Sequence, residues 1–393
     1  MSQKLTWYWK VLSASFSIPF EVFGYRISIG AWLRVTKDSM SVEKSSKQNG
    51  TESDYKHSPL RSGSREIRLL ELHPGRYDDP LSGSERIVTL DSVTSQYDAL
   101  SYVWGKPGDG GHTISIGAGN LILLPNLGAA LRAFRSNTET RTIWADALCI
   151  NQQDMHERNE QVGLMAEIYS NARSVLVWLG QPTSHSLLGM DVLSFLAGEV
   201  ALDERAPWNR SPPGEIASAL RDILERTYFQ RVWVVQEAAL GQRIQMRVGN
   251  ITIHWANGHS MRRFLARIKL AEISPPWQGP LVDVDFRPLT ELLEQSLGNT
   301  ARRNGTIEKT TLLDLVHMMR HRHVTDVRDK LYGVMSLATP AEVARIVPDY
   351  SLSWEETYRR FYAVAEEQLL LNSCEALVDA QGNAAGGFGR VDA

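Results

Sequence analysis

Three apolar runs separated by two helical stretches constrain this chain more than anything else in it. Tyr97–Val103 (YDALSYV), Arg141–Ala147 and Ser174–Leu179 (SVLVWL) have the length and residue types of strands. Between the first two, Leu127, Ala130, Leu131 and Phe134 recur at helical spacing, and Asn126, after Pro125, is the expected N-cap. Before the third, Asp154-Met155-His156-Glu157 has the capping-box arrangement. Val162, Met165, Ile168, Tyr169 and Ala172 then mark the buried face of a helix. SVLVWL, bounded by Gly180-Gln181-Pro182, fits a strand buried on both faces. Strand, helix, strand, helix, strand over about 80 residues argues for parallel pairing and an α/β layer fold.

Arg65–Leu72 (REIRLLEL) and Arg86–Leu90 read as further strands, and Thr113–Ile116 as a short one. Arg243–Val248 and Asn250–His254 read as a hairpin around Gly249-Asn250. Leu187–Leu202 and Glu215–Arg226 carry helical periodicity. Gln230–Leu240 is mixed: Val232, Val234 and Val235 favour a strand, Gln236 to Leu240 a helix, and helix is preferred. The C-terminal third is mostly helical, with helices expected over Thr311–Arg320 and Val327–Leu337. A second capping box, Ser353-Trp354-Glu355-Glu356, launches a helix with Trp354, Tyr358, Phe361, Ala365 and Leu369 on its buried face.

Four regions follow: 1–35, 36–64, an α/β domain over 65–260, and a helical region over 261–393. Residues 1–35 are aromatic-rich, but Lys10, Pro19, Glu21 and Arg26 interrupt them. No stretch there has the uncharged apolar length of a transmembrane helix, and none has the build of a signal peptide. A loosely packed extension is the preferred reading, and a membrane-surface or partner-binding segment the alternative. Lys37–Ser64 is polar and nearly free of large aliphatics, so a disordered linker is expected. Asp379–Ala393 is rich in Gly and Ala and reads as a frayed end, raising the prospect of a truncated product.

The net charge of -3, from 42 basic and 45 acidic residues, gives no electrostatic case for nucleic acid. Cys149 and Cys374 lie far apart, which favours reduced thiols and a reducing compartment. His317, His321 and His323 come nearest to a metal cluster but lack a further ligand, so no metal is assigned.

No glycine-rich phosphate loop, serine nucleophile elbow or kinase signature is present. In an open α/β sheet, ligands bind where strands end. Ser101, Trp104 and Gly105 close the first run, and Asp146, Asn151 and Gln152 close the second. Trp233 and Glu237, four apart, share a helix face. An aromatic beside a carboxylate can stack a flat ring and face a developing positive charge. Each residue also has a purely structural alternative: Trp104 as a core cap, Asp146 paired with an arginine, Asn151 and Gln152 bonded to backbone, Glu237 in solvent.

Taken together, these segments resemble the fungal heterokaryon incompatibility (HET) domain. The resemblance runs through YDALSYVWG (Tyr97–Gly105), Asn126-Leu127 with Ala130-Leu131-Arg132, and IWADALCINQ (Ile143–Gln152). It continues through Glu157-Arg158 with Gln161-Val162, VLVWLG (Val175–Gly180), and Arg231, Trp233 and Gln236-Glu237. RDKLYGVMSL (Arg328–Leu337) and PDYSLSWEETY (Pro348–Tyr358) look like segments that often follow this domain. The resemblance implies a cytoplasmic protein of fungal non-self recognition that triggers programmed cell death.

HET domains have been compared with Toll/interleukin-1 receptor (TIR) domains, which are flavodoxin-like and some of which cleave NAD. Trp233-Val234-Val235-Gln236-Glu237 is similar to their Trp-Cys-x-x-Glu stretch, with Val234 in place of the Cys. The resemblance therefore implies a TIR/flavodoxin-like open parallel sheet flanked by helices, with a mostly helical C-terminal extension. NAD is implied as substrate rather than cofactor. Glu237 would stabilise the oxocarbenium-like state. Trp104 or Trp233 would stack the ring, and Ser101, Asp146 and Asn151 would hold ribose or phosphate. The competing implication is a non-catalytic module that oligomerises or recruits an incompatibility partner.

Overall fold

The computed structural model describes residues 54–105, 111–199, 205–256, 259–275, 281–303 and 310–368. Among the described residues nine strands form one mixed sheet: β1 (Glu66–Leu72), β2 (Leu81–Thr89), β3 (Asp98–Tyr102), β4 (His112–Ile116), β5 (Gly119–Leu123), β6 (Arg141–Trp144), β7 (Ser174–Trp178), β8 (Arg243–Val248) and β9 (Ile251–Ala256). Their spatial order is β5-β4-β2-β1-β6-β3-β7-β8-β9. The middle of the sheet, β6-β3-β7-β8, is parallel throughout. The flanks add antiparallel pairs: β1 with β2 and β6, β4 with β5, and β8 with β9. An α/β fold with an open sheet flanked by helices is what the alternating runs require.

Helix α1 (Pro125–Phe134) leads into β6, and α2 (Met155–Asn171) joins β6 to β7. Between β7 and β8 lie α3 (Ser186–Ala197), α4 (Pro213–Leu224) and α5 (Val234–Leu240). After the sheet come α6 (His259–Glu272), α7 (Arg287–Arg303), α8 (Leu312–Met318) and a helix over residues 354–368. Every residue of β7 is buried, as expected for a strand covered on both faces. Tyr169 of α2 packs edge-on against Trp144 of β6 and donates its hydroxyl to the Leu100 carbonyl at 3.1 Å. At the start of β3, buried Asp98 accepts from Arg141 at 2.8 Å and from Arg173 at 2.7 Å. One carboxylate thus ties β3 to β6 and to the residue before β7.

The helices after the sheet belong to the same core. Phe286, Leu289, Leu292 and Leu293 are buried in one cluster with the sheet residues. Ser296 and Asn299 of α7 hydrogen-bond to the carbonyls of Ala238 and Ala239 in α5. Among the described residues, no helix is long and apolar enough to cross a membrane.

Several local expectations change. The strand expected over Arg141–Ala147 stops at Trp144, because Ala145 caps a single helical turn over Asp146–Cys149. Asn126 is not the cap of α1. Pro125, which has no N–H to satisfy, opens the helix. That frees the Asn126 amide to donate to the Val103 carbonyl at 2.5 Å and accept from Trp178 Nε1 at 2.9 Å. Asp154 does cap α2, accepting from the N–H of His156 and Glu157, but Glu157 turns inward instead of closing the box. Val327–Leu337 is interrupted at Gly333, leaving one helical turn at Asp329–Tyr332 and a 3-10 turn at Met335–Leu337. Trp354, expected on a buried face, is 45% exposed.

Residues 54–64, read from sequence as linker, are ordered by polar contacts. The Tyr55 N–H bonds to the Asn120 carbonyl at 3.2 Å, and the Ser58 carbonyl accepts from Arg68 Nε at 2.8 Å. His57 Nε2 bonds to the Leu148 carbonyl at 2.9 Å. The aromatic segment 1–35, the rest of the linker to residue 53, Leu369, Cys374 and the Gly-rich end lie outside the described residues.

Candidate functional site

The carboxyl ends of β3 and β6 open onto a cleft of about 730 Å³, closed by the start of α5 and by residues 323–350. β3 delivers Trp104 and Gly105. Gly105 has φ +81°, a conformation that a residue with a side chain rarely adopts, so the chain turns sharply off the sheet there. β6 delivers Asp146. Trp104 Nε1 donates to Asp146 Oδ2 at 2.7 Å, and the Ala147 N–H donates to Oδ1 at 2.8 Å. Burial raises the Asp146 pKa, opposed by the Trp104 hydrogen bond and the positive charge of Arg231.

Glu237 enters from α5, all seven of whose residues are buried. Ser101 donates to Glu237 Oε2 at 2.5 Å, and the Tyr228 hydroxyl lies 2.8 Å from Ser101 Oγ. Burial pushes the Glu237 carboxyl up to about 7, against the pull of Arg231 and of the Ser101 hydrogen bond. Asp146 adds repulsion and so also raises it. Two carboxyls from distant parts of the chain therefore share one cleft, each held above its ordinary range.

Of the residues singled out from sequence, Trp104, Gly105, Asp146, Gln152, Trp233 and Glu237 line the cleft. Gln152 reaches it while donating to the Asp146 carbonyl at 3.0 Å. Ser101 is fully buried behind Glu237 and does not face the cleft, so its effect passes through that carboxyl. Asn151 is also off the wall. Its side chain accepts from the Gln153 N–H at 3.2 Å, and its own N–H bonds to Glu157 at 2.6 Å. It shapes the turn instead.

Sequence reasoning missed the residues that complete the wall: Arg158, Arg231, Asp326, Asp329 and Tyr350. Tyr350 donates to Asp329 Oδ1 at 2.6 Å, and its N–H bonds to Asn159 Oδ1 of α2 at 3.0 Å. The Arg158 guanidinium lies over the Tyr350 ring, 4.1 Å from its centroid. Burial raises the Asp329 pKa, with the Tyr350 hydroxyl and Trp233 opposing it. For Asp326 burial acts upward too, but the Arg328 hydrogen bonds outweigh it and the pKa is lowered. Arg231 donates to the Tyr102 carbonyl at 2.6 Å. Asp329 and Tyr350 stand in the RDKLYG and PDYS segments, and that recurrence after the domain was the available signal. Among the described residues no group of His, Cys, Asp and Glu could hold a metal.

Polar and aromatic groups gathered beyond the carboxyl ends of parallel strands define an α/β protein with a ligand-type cleft. Such a cleft can take a flat ring against Trp104 or Trp233 and face a positive charge with Glu237. Residues 97–237 match the family model described as heterokaryon incompatibility protein (HET). The chain is also 30% identical over 354 residues to heterokaryon incompatibility protein 6, OR allele, of Neurospora crassa, an alignment that covers 76% of this chain and 51% of that protein. The chain thus carries, over residues 97–237, a region that matches the HET domain. It spans about half the length of the curated relative it matches. No solved structure matches it. The family match ends at Glu237 itself, whereas the cleft draws on residues as far as Tyr350.

Proposed function

We propose that this chain serves fungal non-self recognition in the cytoplasm, and that its cleft cleaves NAD to trigger cell death. The name of the Neurospora relative supports the first part. One observation carries the second: Glu237, a buried carboxyl with a pKa near neutrality, shares a cleft with Asp146, Trp104 and Trp233. The spacing of Trp233 and Glu237 that resembles TIR enzymes adds to it.

In the reaction the bond between ribose C1′ and the nicotinamide nitrogen breaks. The electron pair leaves with nicotinamide and neutralises its positive charge, so no acid is needed. Water adds to C1′ and loses a proton. Charge builds up on the ribose in the transition state, where an ionised Glu237 is worth most in a water-poor cleft. The cationic ring of bound NAD favours that ionised form. Trp104 or Trp233 stacks the ring, and Asp146 and Gln152 orient the ribose. Assembly with a second copy or an incompatibility partner would set when the cleft is used.

The test is to incubate the purified chain with NAD and measure free nicotinamide, comparing wild type with Glu237→Gln. Release by the wild type that falls at least about a hundredfold in the variant supports the reading. Equal release from both removes Glu237 from its role. No release from either, under conditions that assemble the protein, favours a non-catalytic module that recruits partners.

A further inference from the structure

Ser101 and Asn151 are turned away from the cleft, so a bound nucleotide needs another holder for its phosphates. Arg158 meets that need. It comes from the first turn of α2, where its N–H bonds to the Asp154 carbonyl at 2.9 Å, and it lines the cleft.

Other buried or half-buried arginines have strong acceptors. Arg68 meets Glu157, Arg226 meets Asp222, and Arg322 meets Glu291 and the Phe229 carbonyl. Arg158 differs in its acceptor: its guanidinium donates to Met155 Sδ at 3.4 Å, a weak acceptor, and its buried Nε, like that of Arg322, makes no hydrogen bond among the described residues. The carboxyls near it are already engaged. Asp326 accepts from the Arg328 guanidinium at 2.9 and 2.5 Å and from its N–H at 3.0 Å, and Asp329 holds the Tyr350 hydroxyl. A cation in the first turn also opposes the helix dipole. Arg158 acts on Asp326 and Asp329 by charge alone, and an anionic ligand would give its guanidinium the strong acceptor it lacks.

The Tyr350 ring covers the guanidinium from one side, and the residue lines the cleft. A guanidinium's N–H fork matches two oxygens of a phosphate, as a lysine would not. We propose that Arg158 is a phosphate-binding residue of this cleft, oriented by Tyr350, so that the ligand is a phosphate-bearing nucleotide and not a nucleoside. This rests on the nucleotide reading above and extends it to the substrate's charged half. It also assigns a purpose to the segment around residue 350, which lies outside the family-matched region.

The test uses the full chain and calorimetric titration with NAD, nicotinamide riboside and inorganic pyrophosphate. Glu237→Gln, which prevents turnover, is compared with the same protein carrying Arg158→Gln or Arg158→Lys. Arg158→Gln should weaken NAD about tenfold or more, leave the riboside unchanged and abolish pyrophosphate binding. Arg158→Lys, which keeps the charge but not the fork, should fall between. Thermal melting of each variant checks that the fold is intact. The proposal is overturned if pyrophosphate binds both proteins alike or neither, or if the riboside weakens as much as NAD. Pyrophosphate binding that needs Arg158, in a protein that never cleaves NAD, keeps the phosphate site and removes the hydrolase. Cleavage that needs Glu237 but is indifferent to Arg158 does the reverse.

Discussion

Ser101 on β3 and Glu237 on α5 are joined by a 2.5 Å hydrogen bond across 136 residues of sequence. The bond places an ionisable group at the end of a parallel strand while keeping it 4% exposed. Its first consequence is on stability. The folded pKa of Glu237 is raised to about 7, so between the unfolded value and 7 the native state binds the extra proton. Stability contributed by that proton is therefore present at low pH and lost as pH rises through about 7. The shift corresponds to roughly 3 kcal/mol. Urea midpoints at about pH 5 and about pH 8 should differ in that direction for the wild type. In Glu237→Gln the difference should shrink to what the other raised carboxyls, Asp146 and Asp329 among them, contribute. A slope equal in both proteins would show that Glu237 does not titrate as its surroundings demand.

The same group sets the pH dependence of turnover. If ionised Glu237 is required, kcat/KM for NAD rises with pH and levels off above about 7. Bound NAD places a positive charge beside the carboxyl, so the corresponding limb of kcat should lie at lower pH. A kcat limb at higher pH than that of kcat/KM would contradict a cationic ring next to Glu237.

Asp98 is a different kind of buried carboxylate. It is fully buried, and Arg141 and Arg173 both bind it where β3, β6 and β7 meet. Asp98→Ala leaves Arg141 half-buried without its partner and cuts the tie between strands. The expected loss is about 3 kcal/mol or more, read as a lower urea midpoint with an unchanged slope. A loss under about 1 kcal/mol would mean that solvent already screens both arginines.

The spine of the fold was legible because its signal is local. A fully buried strand such as Ser174–Trp178 is a short apolar run, and the second half of α2 buries Met165, Ile168 and Tyr169 at helical spacing, although its first half buries the polar Glu157 and Gln161. Even the mixed stretch at 230–240 carries both of its signals. Arg231 forms a β-bridge with His323, and the helix begins three residues later. The short turn at Asp146–Cys149 was not legible, since Ala, Leu and Cys are as apolar in a helical turn as in a strand. Residues 54–64 were misread because composition measures apolar burial, whereas Tyr55 is held through its hydroxyl on Glu85 and its N–H, and Ser58 through its carbonyl. Half of the cleft was hidden for a third reason. Tyr350, Asp329 and Arg158 meet only through tertiary packing, and nothing in their spacing says so.

Two glycines separate close packing from mere helix propensity. A Cβ at Gly189 of α3 would lie well inside contact distance of the Ala219 carbonyl of α4. Gly189→Ala should therefore force the two helices apart and cost about 1–3 kcal/mol. Gly163, exposed on α2, has nothing within 4 Å of a new Cβ. Gly163→Ala should stabilise by about 0.5–1 kcal/mol through helix propensity and the unfolded chain. Thermal melts of the two variants should thus move in opposite directions.

Arg68 connects the residues before β1 to the turn that precedes α2. It is 1% exposed, donates to Glu157 at 2.5 and 2.9 Å, and reaches the carbonyls of Ser58 and Cys149. Glu157 in turn accepts from the Asn151 N–H at 2.6 Å. Burial acts to raise the Glu157 pKa, but the bonds from Arg68 and Asn151 outweigh it and the pKa is lowered. Its stabilising contribution is therefore full above the ordinary carboxylate range and is lost as pH falls through the folded value. Arg68→Met strands that carboxylate, and about 3 kcal/mol or more of stability should go with it. The chain near residue 58 should become cleavable by protease, since the Ser58 carbonyl loses its donor. The double variant Arg68→Met, Glu157→Met removes both charges from the interior. It should be more stable than the sum of the single losses, because much of each loss is the unpaired partner left behind. Strict additivity would instead mean that the two side chains act independently, and that the turn carrying Asp146 and Gln152 is held by something other than this pair.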